Sequence, residues 1–291
     1  MIYKVNICKC RIKDYNYYKV MYRGHQKLFN IGKLGDEKAY QMAEEYGDFL
    51  KKQDTESKDI TAKEDIVYKK ELTPFDIKKF FAKDVSFTGL LIGSTKAGKT
   101  TLLIKIFDKV KDNFDIVIIF STSIAKDIYK KFKGAILISA FDSDLVDYLK
   151  TLNAHLADGK KDMLKILFIL DDIVTEKANK MLLQMFCTLR NVNISTLLSI
   201  QSPNLVNKNV KNNFNFVSLH RMNDSEAYDE IRKYFFDSDL VEKYIEVPKK
   251  VEEKLYRKKA FMRHFMRENV KNYGNLVIDF LNDNELHKNV V

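Results

Sequence analysis

Gly93, Ser94, Thr95, Lys96, Ala97, Gly98, Lys99 and Thr100 satisfy the phosphate-loop pattern G-x-x-x-x-G-K-[ST] in full, and Thr101 follows them. Glycines in such a loop let backbone N–H groups converge on a triphosphate. Lys99 is expected to reach the β and γ oxygens and Thr100 to ligate Mg2+, with the next helix aiming its N-terminus at the anion. The required flanks are present: apolar "VSFTGLLIG" before the loop and amphipathic "KTTLLIKIFDKV" after it. Lys96 occupies a variable loop position and reads as a solvent-exposed side chain.

A metal also needs an acidic partner. "KILFILDDI" puts Asp171 and Asp172 at the carboxyl end of an apolar strand, where ligands sit in open α/β sheets. Asp171 is expected as the outer-sphere Mg2+ partner, and Asp172 as the group that polarises the attacking water. The competing reading has one Asp merely capping the next segment. At least one strand–helix unit separates Thr100 from Asp171. That spacing favours ATPases in which another strand lies between the two motif strands, so ATP and Mg2+ are the expected cofactors. The base-reading and lid motifs of small nucleoside kinases and GTPases are not found.

A third stretch, "LRNVNISTLLSIQSPN", runs from Arg190 through a strand to Gln201. A polar residue at such a strand tip can sense a γ-phosphate or hold water. An Arg before the strand can act as an arginine finger on a neighbouring subunit's nucleotide. Taken singly, Arg190 reads equally as a helix C-terminal charge and Gln201 as a loop hydrogen-bonder.

The elements that must position these residues alternate strand and helix, including a helix over Glu176–Arg190. The fold class expected is α/β: a P-loop NTPase with a RecA-like, mostly parallel sheet flanked by helices, over residues 72–247. Residues 1–53 read as a small domain of three strands and a helix, with Asp36 as N-cap, and 54–71 as a polar linker. Residues 248–291 form a basic extension, helical before the last apolar run "NLVIDFL".

The 291 residues carry a net charge of +10, which suits either a polyanionic partner or a solvated lysine-rich surface. Cys8, Cys10 and Cys187 make no disulfide framework or zinc pattern, and reduced thiols fit the cytosol. No apolar run approaches a membrane span, and the amino terminus lacks signal-peptide features, so an intracellular, soluble protein is expected.

Together, Gly93–Thr101, "ILFILDD", Arg190 and "SIQSPN" resemble the FtsK–HerA superfamily of DNA-pumping ATPases. Within it the compact size, the Asp-Asp pair and "ISTLLSIQ" are most similar to the genome-packaging ATPases of poxviruses, giant viruses and virophages. The resemblance spans roughly Asp84 to Phe236. It implies a homo-oligomeric ring around double-stranded DNA, with ATP at each interface and Arg190 acting on the adjacent subunit. It further implies a capsid vertex or portal-like partner, and residence in the host cytoplasm, the viral factory or the virion. Many relatives have Glu where Asp172 stands. Arg221 is a second arginine-finger candidate. Two alternatives stay open: a non-packaging translocase or helicase of the same superfamily, and a DNA-binding ATP switch of the partition type. The latter usually carries a lysine where this chain has Ser94.

The amino-terminal unit, with Lys19, Arg23, His25 and Lys27 among Tyr17, Tyr18 and Tyr22, is similar to three-stranded arm-type DNA-binding domains. A docking or oligomerisation module is the other reading. The basic tail, including Arg263 and Arg267, suits phosphate tracking, an acidic capsid partner or a solvated amphipathic helix.

Overall fold

The computed structural model describes residues 6–12, 15–22, 25–61, 66–81, 86–173, 188–205, 213–223, 225–236, 238–252, 255–281 and 285–290. The chain forms two compact units, Met1–Asp65 with Pro248–Phe261, and Ile66–Val247 with Met262–Val291.

In the first unit β1 (Asn6–Ile12), β2 (Tyr15–Tyr22) and β3 (His25–Asn30) form an antiparallel sheet in sequence order. A short α1 (Ile31–Leu34), capped by the Asn30 side chain, leads into α2 (Asp36–Thr61). Alternation along the strands decides which residues meet α2. Val20 and Phe29 pack on Ala39 and Ala43, whose small side chains let helix and sheet approach closely. Lys9 pairs with Asp36 at 2.9 Å, Tyr18 meets Tyr40 edge-on, and the Lys27 ammonium lies 4.6 Å from the Tyr46 ring centroid. Lys27 is thus on the helix side, whereas Tyr17 and Lys19, out of phase with Tyr18 and Val20, take the open face. Arg23 lies outside the described residues.

Two boundaries differ from the sequence-based expectation. The polar stretch from 54 continues α2 to Thr61 instead of forming a linker. "QDTESKDIT" holds no Gly or Pro, so nothing in it breaks the helix. The basic extension, in turn, supplies two strands of the main sheet, because the apolar run "NLVID" is buried throughout β13 (Asn275–Asp279).

The second unit is built on a nine-stranded sheet ordered β5-β14-β13-β11-β6-β10-β9-β7-β8. These strands are β5 (Thr73–Phe75), β6 (Thr88–Ile92), β7 (Ile116–Phe120), β8 (Ile136–Ile138), β9 (Ile166–Asp171), β10 (Ile194–Ile200), β11 (Phe216–His220), β13 and β14 (Glu285–Val290). From β8 to β11 all pairings are parallel, while β11–β13 and β13–β14 are antiparallel. Every residue of β6, β9, β10 and β11 is buried, as a parallel sheet covered on both faces requires. A separate pair joins β4 (Val67–Tyr68) to β12 (Ile245–Glu246), so this end of the expected linker is folded too.

Helices α3 (Ile77–Phe81), α4 (Lys99–Val110), α5 (Ser143–Asp158), α6 (Ser225–Phe235), α7 (Ser238–Glu242), α8 (Lys249–Glu252) and α9 (Leu255–Tyr273) complete the described elements. Asp142 caps α5 by accepting from the amides of Asp144 and Leu145. Leu103, Ile106 and Phe107 of α4 pack into a cluster with Leu91, Ile119 and Ile169 of the sheet. Full burial of a side chain such as Phe107 contributes roughly 1.5–3 kcal/mol. In the tail, Arg263 lies 3.6 Å from Asp229 and Arg267 covers the Tyr228 ring, so both cations are engaged on α6. Most of the helix expected over Glu176–Arg190 falls outside the described residues, and Leu189–Val192 is a 3-10 turn.

Candidate active site

The phosphate loop leaves β6 at Gly93, whose amide donates to the Ile200 carbonyl of β10. A Cβ on Gly93 would stand 2.5 Å from the Cβ of His220, so only glycine lets β11 pass this closely. Ser94 is clamped to the segment after β11: its amide donates to the Arg221 carbonyl, and its hydroxyl accepts from the Asn223 amide at 2.9 Å. Lys96 and Gly98 both take left-handed conformations, which turn successive N–H groups towards one concavity. Among the described residues no side chain caps the first turn of α4, whose amides stay available to an anion.

Lys99 is 5 % exposed and folds over the loop, donating to the carbonyls of Gly93 (2.7 Å) and Ser94 (3.2 Å). Burial pulls its pKa down, and the nearby charges of Asp172 and Asp171 act against that shift. Thr100, on the next position of α4, donates to Asp171 Oδ2 at 2.7 Å. Asp171 is 1 % exposed, and its buried Oδ1 has no hydrogen-bond partner among the described residues.

Consecutive strand residues point to opposite faces, so Asp171 and Asp172 could not both serve one site in a regular strand. A left-handed φ of 55° at Asp172 breaks the alternation, a conformation Asp adopts more readily than most residues. The Asp172 amide is held by the Ser199 carbonyl, and the side chain is exposed. Gln201, at the tip of β10, donates from Nε2 to Asp172 Oδ2 at 3.2 Å and accepts from the Thr95 hydroxyl at 3.0 Å. One amide therefore links the loop to the acidic pair. The linkage depends on β10 lying between β6 and β9, as the motif spacing predicts.

The structure gathers Gly93 to Thr100, Asp171, Asp172 and Gln201 at the carboxyl ends of the parallel strands. Arg190 is not among them. It precedes Ile194, which pairs with Ile166 at the opposite end of the sheet from the Ser199–Asp171 pair. The length of β10, roughly 20 Å, separates it from the loop of its own chain. Arg221 is exposed and lies at the loop's end of the sheet, its carbonyl bonded to Ser94.

Sequence reasoning missed two neighbours. His220, 3 % exposed, places Nδ1 3.2 Å from the Ala97 carbonyl and Nε2 3.3 Å from the Ser218 hydroxyl. A carbonyl only accepts, so Nδ1 carries the proton. Desolvation brings the His220 pKa down to about 4; the Ala97 bond opposes that shift and Lys99 adds to it. Asn275 of β13 completes the relay by donating to Ser218 at 2.9 Å. The second neighbour, Tyr129, sits in the 3-10 turn Asp127–Lys131 and donates to Asp171 Oδ2 at 2.7 Å. Neither residue carries a local motif; the only signal was the apolar run leading into His220.

The poxvirus A32 protein family matches residues 73–261, more than half of the chain and all of the loop, acidic pair and β10. This chain belongs to the poxvirus A32 family. As a member of the A32 family, with the phosphate loop and acidic pair just described, it is an ATPase. No curated protein sequence matches the chain. Among solved structures the A32-family chain is similar to B204, the DNA-packaging ATPase of Sulfolobus turreted icosahedral virus. The two are 17% identical over 72% of this chain and 100% of that one, with a TM-score of 0.48. The genome packaging NTPase B204 of Sulfolobus turreted icosahedral virus 2, in complex with sulfate, gives 17%, 71%, 98% and 0.47. EssC (ATPases 2 and 3) of Geobacillus thermodenitrificans gives 12%, 72%, 46% and 0.43.

Proposed function

We propose that this ATPase drives double-stranded DNA into a viral capsid as a homo-oligomeric ring. Membership of the poxvirus A32 family carries the reading, because the resemblance of its motifs to genome-packaging ATPases implies that activity. Host cytoplasm or viral factory is the corresponding location. Among the described residues no helix is long and apolar enough to cross a membrane.

Two observations fit a divalent cation. Thr100 directs its hydroxyl proton to Asp171, which leaves its oxygen lone pairs free, and the buried Asp171 Oδ1 has no partner among the described residues. Thr100 and Asp171 would hold Mg2+, which when bound offsets the negative charge of the phosphates. Lys99 leaves the loop carbonyls to reach the triphosphate, and the uncapped amides of α4 face the same charge. Asp172, exposed beside the loop, takes a proton from the attacking water. Gln201 exchanges its bond to Thr95 for the γ-phosphate or that water, and so reports the nucleotide state along β10. Arg190 lies too far from its own loop to act there and serves the neighbouring subunit.

The test is the ATPase rate against protein concentration, with and without duplex DNA. The expected result is a specific activity that rises with concentration and rises again with DNA. A rate indifferent to both would overturn the motor reading. DNA binding without stimulated turnover would favour a partition-type switch.

A further inference from the structure

We infer that Tyr129 is a positioning residue for the metal site: its hydroxyl, with that of Thr100, fixes the Asp171 carboxylate in the orientation that presents Oδ1 to the cation. This inference rests on the proposed reading that the site binds ATP with Mg2+.

Two hydroxyls converge on one carboxylate oxygen. Thr100 Oγ1 and Tyr129 Oη each stand 2.7 Å from Asp171 Oδ2. The carboxylate can only accept, so Tyr129 donates to it. The Tyr129 oxygen then accepts from Ser121, whose hydroxyl lies 2.8 Å away, and Ser121 accepts from the Ser123 amide at 3.2 Å. The donors run in one direction, from the Ser123 amide through Ser121 and Tyr129 to Asp171, and such chains strengthen each member. Every side chain in the chain is inside: Ser121 is 0 % exposed, Tyr129 3 % and Asp171 1 %.

The ring is as constrained as the hydroxyl. Tyr129 stacks on Phe132, which meets Phe107 of α4 edge-on. The tyrosine is therefore braced against the helix that carries Thr100. With both donors on Oδ2, the carboxylate cannot turn about its own axis without breaking two short bonds. Among the described residues Oδ1 has no partner, which leaves it for the water shell of a cation. Groups that orient a metal's carboxylate in this way typically change metal affinity by about 10- to 100-fold when removed.

Tyr129→Phe removes the donor and keeps the ring. The measurement is binding of a fluorescent ATP analogue to the full-length chain across a Mg2+ titration and in EDTA, with Mn2+ paramagnetic resonance as a direct report on the metal. The expected result is a Mg2+ half-saturation about tenfold higher in the variant, with metal-free nucleotide binding unchanged. Ser121→Ala, which weakens the same donor chain, should shift it the same way by less. If Tyr129→Phe does not fold, Ser121→Ala decides: a shifted Mg2+ requirement supports the inference and an unshifted one overturns it. A folded Tyr129→Phe chain whose Mg2+ dependence equals wild type, or whose binding falls equally with and without metal, overturns the role of Tyr129 alone. A wild-type chain indifferent to Mg2+ and Mn2+ overturns the metal-site reading beneath it.

Discussion

Gln201 donates its side-chain amide to Asp172 at 3.2 Å while accepting the Thr95 hydroxyl at 3.0 Å. These two bonds tie Gln201 to both halves of the site and run to side chains other than Lys99 and Thr100. Gln201→Ala should therefore leave ATP affinity within about threefold of wild type while lowering kcat by about 10- to 100-fold. Equilibrium nucleotide binding and steady-state turnover separate the two effects. Unchanged kcat would remove Gln201 from the machinery.

Asp172→Asn keeps the shape of the side chain and its contact with Gln201 but removes the proposed base. ATP binding should persist while kcat falls by about 10²- to 10⁴-fold. Arg190→Ala should also bind ATP without turning it over. Because Arg190 lies at the far end of β10 from its own loop, mixing the two inactive variants should restore part of the activity. Mixtures that stay at the level of the separate proteins would count against action between subunits.

His220 gives the fold a defined pH dependence. Its pKa falls from an ordinary value near 6.5 to about 4 on burial, so the folded state favours the neutral ring. The unfolded chain binds the proton first as pH drops. Stability is full above about pH 6.5 and is lost progressively towards pH 4, by about 3 kcal/mol for this residue. His287, also held below its usual range by burial, works in the same direction. The informative measurement is thus a difference: denaturant unfolding of wild type and His220→Asn at several pH values. The Asn variant should lose about one proton of slope within that window. Parallel curves would refute the assignment.

Gly93→Ala tests the close approach of β11. The added methyl would overlap the His220 Cβ and must displace either the loop or the strand. A loss of about 1–3 kcal/mol in stability, read as a lower Tm, should accompany weakened nucleotide binding. A variant with wild-type Tm and affinity would show that the approach is not constraining.

Much of this protein is legible in its sequence, and the legible parts share a cause. The phosphate loop, the Asp pair at the end of "ILFIL" and the three amino-terminal strands are all written in residues near one another in sequence. Strand and helix periodicities and loop chemistry act over that same short range. The expected linker is helical as far as Thr61 because polarity alone does not break a helix, and "QDTESKDIT" lacks Gly and Pro.

Everything decided by strand order lay beyond that reach. "NLVID" carries only the signal of a buried strand; that it pairs antiparallel with β11 depends on which sheet edge was left open. Tyr129 reaches Asp171 across 42 positions, and His220 reaches Ala97 across 123. Arg190 and Arg221 look alike as candidates in sequence, yet they lie at opposite ends of the strands. The sequence by itself determined the phosphate loop and the acidic groups that stand beside it. Tertiary structure decided what braces those groups, because buried polar atoms must find partners wherever packing brings them.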